Sequence, residues 1–177
     1  MSADTPGSIL HVDDDRAVRD GLAMLLRAEG YAVHSAANTK QALELISAGL
    51  RPDVLILDFH LEEQMNGAQL AEQICSILHH TPPIIVLTGD LSNAVVPRTN
   101  EAPVWMARKP LDPHRLLVAL PGLILVSRAN RQLDTQIGVR EMRSVVSTAE
   151  APPRNAHAAP EVRRVSFSAS PWSLKFR

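Results

Sequence analysis

Apolar residues along the first 120 positions fall into two alternating patterns. Short apolar runs occur at Ser8–Val12, 31–35, 53–58, 83–88 and 104–107. Residues 53–58 and 83–88 are almost continuously apolar between their ends, which fits strands buried on both faces. Between the runs, apolar residues return with helical spacing. In 16–29 they are Ala17, Val18, Leu22, Leu25 and Leu26; in 39–48 they are Ala42, Leu43 and Ile46. In Gly67–Leu78 they are Leu70, Ile74 and Ile77, and residues 112–120 carry a last such stretch. This spacing places one apolar stripe on each helix. Gly30 and Gly49 follow the first two helices and suit their ends. Residues 90–100 contain Pro97, so a short or kinked element is expected there. Five strands alternating with helices predict a parallel sheet covered on both faces.

The pattern changes near Pro121-Gly122. We place a domain over 1–122 and a tail over 123–177. Residues 123–126 extend the last helix or form a loose strand. Beyond Thr148 the chain holds Pro152, Pro153, Pro160 and Pro171 among Ala, Ser and Arg, and is read as weakly ordered. Charge divides at the same point. Residues 1–122 hold 15 acids and 9 Lys/Arg, whereas the tail holds 4 and 9, so a net charge of -1 conceals two opposite halves. The tail's cations form no run, and nucleic acid is an unlikely partner. A single cysteine, Cys75, excludes a disulfide framework. Met1 to Ser8 lacks the basic start and apolar run of a signal peptide, and no apolar stretch reaches the roughly 18 residues that span a bilayer. The expectation is a cytoplasmic protein with no membrane association.

In open parallel sheets, ligands gather at the carboxyl ends of the strands. The first strand ends in Asp13-Asp14-Asp15, the third in Asp58, the fourth in Thr88-Gly89 and the fifth in Lys109-Pro110. Three carboxylates on one sheet edge repel one another unless a cation intervenes. A hard divalent ion, Mg²⁺, meets that need through oxygen ligands. Lys109 adds a fixed positive charge and Thr88 a hydroxyl donor. Such a set suits a phosphoryl group carried on a carboxylate oxygen.

Taken together, these residues resemble the receiver domain of bacterial response regulators. Asp13-Asp14 follow Ile9-Leu10-His11-Val12, Asp58 follows Val54-Leu55-Ile56-Leu57, and Thr88 follows Ile85-Val86-Leu87. The spacings are 44 from Asp14 to Asp58, 30 from Asp58 to Thr88 and 21 from Thr88 to Lys109. The resemblance covers about residues 8–120 and implies a flavodoxin-like, doubly wound five-stranded sheet in the order 2-1-3-4-5. It implies Asp58 as phosphoacceptor, with a histidine kinase or histidine phosphotransfer protein as donor. Asp14 is implied as a direct Mg²⁺ ligand, with Asp58 beside it, Asp13 acting through water and His60 through its backbone carbonyl. Thr88 and Lys109 would hold the phosphoryl oxygens, and Lys109-Pro110 would be cis. A homodimer through the fourth helix, fifth strand and fifth helix is a further partner to consider.

Two features depart from the commoner pattern. The loop from Asp58 to Gly67 is one residue longer than in chemotaxis-type regulators and resembles receivers attached to hybrid sensor kinases. The switch position three residues before the lysine is Met106, beside Trp105, where many receivers carry Tyr or Phe. Two other functions compete. A haloacid-dehalogenase-like phosphatase would use Asp13 as nucleophile and Asp15 as acid, but position 17 is Ala where that motif wants Thr or Val. A binding module that keeps the fold without phosphorylation would not need the complete site. Asp15 taken alone reads as a helix N-cap.

Overall fold

The computed structural model describes residues 7–61, 65–78, 80–90 and 103–149. Five strands form one parallel sheet: β1 (Ser8–Val12), β2 (Ala32–Ala36), β3 (Val54–Asp58), β4 (Ile84–Thr88) and β5 (Val104–Arg108), in the order β2-β1-β3-β4-β5. The helices are α1 (Arg16–Ala28), α2 (Thr39–Ser47), α3 (Gly67–Leu78) and α4 (Pro113–Ala149). The expected helical element at 90–100 lies largely outside the described residues.

The period of two along each strand divides the core between the faces. Leu10, Val12, Leu55, Leu57, Ile84 and Val86 point to one face and pack with Ala42 and Ile46 of α2 and with Leu70, Ala71 and Ile74 of α3. Ile9, Val33, Val54, Ile56, Ile85 and Leu87 point to the other face, against Ala23 and Leu26 of α1 and Leu116 and Leu120 of α4. Every residue of β3 and β4 is buried, which accounts for their unbroken apolar sequence.

Both early helices end on glycine as expected. At the end of α1, the Tyr31 N–H donates to the Leu26 carbonyl and the Gly30 N–H to the Arg27 carbonyl. Gly30 has a φ of 87°, a conformation that costs a residue without a β-carbon little. Gly49, at φ 100°, closes α2 with the same pair of bonds to Ile46 and Leu45.

Of the two expectations for residues 123–126, extension of the last helix is the one found. The helix does not stop at Pro121-Gly122 but runs on to Ala149, across the boundary expected there. Pro121 and Gly122 are both exposed, on the side of the helix away from the core. The inward face continues past them without interruption: Leu116, Leu120, Leu123 and Ile124 lie in the same cluster, and Ser127 is buried next along. Residues 150–177 lie outside the described residues.

A charged anchor extends this contact. Asp53, just before β3, is 3% exposed. Its Oδ2 accepts the Ser8 N–H at 2.9 Å and lies 3.4 Å from Arg128 Nη2. Its Oδ1 accepts Arg131 Nη2, while Arg131 Nη1 donates to the Arg51 carbonyl at 3.2 Å. A buried carboxylate needs such partners, since removing them leaves an uncompensated charge. The helix therefore starts beside the carboxyl ends of the strands and is pinned at their amino ends. A chain truncated after Gly122 should lose at least about 3 kcal/mol of stability, since burial of Leu123 and Ile124 goes along with both arginines. A chain truncated after Leu133 should keep it. Urea midpoints of the two truncations and the full chain check this.

Candidate functional site

The parallel sheet delivers its polar ends to one edge, and the structure brings together the residues singled out there. Asp13 is fully buried and Asp14 half-buried after β1. Asp58, 4% exposed, is the last residue of β3, and buried Thr88 the last of β4. Lys109 follows β5, its N–H donating to the Thr88 carbonyl at 2.7 Å. The Lys109-Pro110 bond is cis.

Lys109 ties the site together. Its Nζ lies 2.9 Å from Asp13 Oδ2 and 3.0 Å from Asp58 Oδ2. Burial works to lower its pKa, but its bonds to Asp13 and Asp58 outweigh that and leave the ammonium above the ordinary lysine value. For Asp58, burial pushes the carboxyl above its usual range; Lys109 restrains the rise and the Asp13 charge adds to it. A carboxyl perturbed by burial and by a specific charge partner is a common property of reactive sites.

The carboxylates also offer oxygens to a cation. One oxygen from each of Asp13, Asp14 and Asp58 lies within 4.8 Å of the others, an all-oxygen set that fits a hard divalent ion. The three are not equivalent. Asp13 already uses Oδ2 for Lys109 and Oδ1 for the Asp15 N–H at 3.0 Å. The Asp14 carboxylate accepts no hydrogen bond among the described residues. Asp15 points away and caps α1, accepting from the Ala17 and Val18 N–H groups at 2.8 and 3.2 Å. That is the capping role its position predicts.

Two expected residues sit less directly. The Thr88 hydroxyl faces its own loop, donating to the Asp90 carbonyl at 3.0 Å and accepting the Asp90 N–H at 3.2 Å. His60 is exposed at the rim, its N–H 3.4 Å from Asp58 Oδ1. Met106 packs with the core on the α2–α3 face, while Trp105 is 37% exposed.

Three residues that the motifs do not name also shape the site. Gly67 lets the start of α3 sit against the end of β3: a β-carbon there would lie 2.1 Å from the Asp58 carbonyl oxygen. Its place at the start of a helix, just after an acidic strand end, is the signal available in sequence. Arg19 turns its guanidinium back to the acidic turn. His11, two residues before Asp13, is fully buried, with neither ring nitrogen hydrogen-bonded. Burial lowers its pKa to about 4 against the pull of Asp13.

An aspartate at the end of the central strand of a parallel sheet, joined by a lysine to an acidic pair, defines a receiver-type site. Residues 9–120 match the model of the response regulator receiver domain, and the chain belongs to that family. It is similar to the response regulator MprA of Mycolicibacterium vanbaalenii, 41% identical over 84 residues that make up 48% of this chain and 35% of that protein. MprA of Mycobacterium ulcerans is 42% identical over 81 residues, 46% of this chain and 34% of that protein. The match thus spans about a third of the length of these relatives. Among solved structures, a CheY-like receiver domain protein of Methanospirillum hungatei superposes with a TM-score of 0.61 and 28% identity, covering 71% of this chain and 98% of that one. The N-terminal domain of a response regulator/sensory box/GGDEF three-domain protein of Carboxydothermus hydrogenoformans gives 0.61 and 30%, covering 69% and 97%. Among the described residues, no helix is long and apolar enough to cross a membrane.

His11 gives the site a signature in pH. Between pH 6.5 and about 4 the unfolded chain binds a proton at His11 that the folded chain refuses. Stability therefore rises with pH through that window and is lost as pH falls through it, by up to about 3 kcal/mol. His11→Val should flatten this limb while leaving stability above pH 7 equal or higher. Urea unfolding at pH 7.5, 6.0 and 5.0 measures it.

Proposed function

We propose that this chain is a phosphoacceptor in a two-component phosphorelay. On this reading Asp58 receives a phosphoryl group from a histidine kinase or histidine phosphotransfer protein. The observation that carries it is Lys109 Nζ at 2.9 Å from Asp13 and 3.0 Å from Asp58, in a cluster that also includes Asp14. An Asp58 oxygen attacks phosphorus, the phosphorus–nitrogen bond of the donor breaks, and the electron pair leaves with the imidazole. Lys109 stays beside the oxygens that gain charge. The Thr88 hydroxyl turns from the Asp90 carbonyl to donate to a phosphoryl oxygen. A bound divalent cation supplies charge neutralisation between the carboxylates and the phosphoryl group. Asp14 and Asp58 would hold it directly, Asp13 through water and His60 through its carbonyl.

In this role the chain catalyses only the gain and loss of its own phosphoryl group, in the cytoplasm where kinase and ATP meet. Its output is a change of partner, a homodimer through the fifth strand and its neighbouring helices among the candidates. The phosphatase alternative needs Asp15 as a free acid, and Asp15 instead caps α1. A binding module without phosphorylation remains as an outcome of the test. With acetyl phosphate and Mg²⁺, mass spectrometry should place a single adduct on Asp58, absent from Asp58→Asn. An adduct on Asp13 would overturn the reading, and no adduct on any aspartate would leave the binding module.

A second expectation concerns the metal. At ten times its Kd, Mg²⁺ bound to the folded state alone stabilises by about 1.4 kcal/mol, roughly 3–6 °C in Tm. Asp14→Asn should raise the metal-free Tm, because repulsion falls, and remove most of the Mg²⁺ increment. Four melting curves, both proteins with and without Mg²⁺, decide it.

A further inference from the structure

Arg19 lies on the second turn of α1, yet its side chain is not spent on solvent. Its Nη1 donates to the Asp13 carbonyl at 2.8 Å and reaches the Asp14 carbonyl at 3.3 Å. One guanidinium thus spans the two peptide groups that carry the acidic pair. From the other side, Asp15 fixes the same turn: its N–H binds Asp13 Oδ1 and its carboxylate caps α1. The carboxylates differ in what holds them. Asp13 is tied by Lys109 and Asp15. Asp14 accepts nothing through its side chain among the described residues, so its backbone alone sets its position. That backbone is where Arg19 binds.

The geometry points to Arg19 as a positioning residue for the cation site: it holds the Asp13–Asp14 peptides so that the Asp14 carboxylate faces Asp58. The inference rests on the phosphoacceptor reading above and deepens it. Two consequences follow from the contacts. Because Arg19 engages the Asp13 and Asp14 carbonyls, a backbone ligand to a cation is expected from the β3 side, where His60 lies. Because Arg19 touches neither Asp58 nor Lys109, its loss should weaken the cation without altering the attack on phosphorus. Partners that orient metal ligands from behind commonly change affinity by about 10-fold or more.

The test uses the full chain and Mg²⁺ itself. Tm is followed as Mg²⁺ is added to wild type, Arg19→Gln, Arg19→Lys and Arg16→Gln. Arg16 is the control, an exposed cation on the same helix paired with Asp20. Acetyl phosphate labelling of Asp58 is measured at low and saturating Mg²⁺. Arg19→Gln should need about 10-fold more Mg²⁺ for half its Tm shift, and at saturation its labelling rate should return to within about 2-fold of wild type. Arg19→Lys should fall between, and Arg16→Gln should match wild type. Equal shifts in Arg19→Gln and Arg16→Gln would reduce the effect to net charge and overturn the inference. A labelling rate that stays low at saturating Mg²⁺, with half-saturation unchanged, would overturn it too. If Arg19→Gln does not fold, Arg19→Lys decides alone: wild-type half-saturation refutes the inference. Wild type with no Mg²⁺ shift and no adduct would instead sink the phosphoacceptor reading.

Discussion

Three carboxylates held at one sheet edge are the constraint on which the rest of this molecule depends. Their repulsion opposes folding, and the structure answers it with one lysine. Lys109 reaches Asp13 and Asp58 together because β5 ends beside β4, and its own N–H is fixed to the Thr88 carbonyl. The cost of desolvating the ammonium is offset by two carboxylates. One lysine does not neutralise three carboxylates, and Asp14 accepts no hydrogen bond through its side chain among the described residues; the remaining negative charge is what the proposed cation would meet.

The fold supplies this edge cheaply. Alternation along β1 and β3 sends apolar side chains to both helical layers and, His11 apart, leaves polar residues at strand ends. The converging polar groups thus sit at the ends of strands or just beyond them, and the start of α3 is held by local contacts. Gly67 closes against Asp58, and the Asn66 and Gln69 side chains exchange bonds with each other's N–H at 2.9 and 3.0 Å at the start of α3.

The five strands, the helices among the described residues and the converging residues are legible in sequence, because a period of two or of 3.6 and a polar strand end are local signals. What escaped was not local. Asp53 reads as the start of a strand; its anchoring partners Arg128 and Arg131 lie 75 and 78 residues away. Arg19 binds carbonyls, which leave no mark in a side-chain motif. Pro121-Gly122 reads as a boundary, with extension of the helix past it left open, since no sequence rule shows that both face water. The better signal was the inward spacing of Leu116, Leu120, Leu123 and Ser127, which never breaks. Thr88 was found as a residue, but its turn towards Asp90 depends on tertiary context.

The anchored helix has a mechanical meaning. From Arg131 to Ala149 it continues for 18 residues, about 27 Å at the usual rise. Its fulcrum is a buried carboxylate, and an arm of equal length, the 18 residues back to Pro113, ends beside Lys109. A tilt of about 5° about that fulcrum displaces the far tip by about 2 Å. Motion at the carboxyl edge of the sheet is thereby returned at equal size and opposite sense at the far end of the helix, as one pan of a balance answers the other.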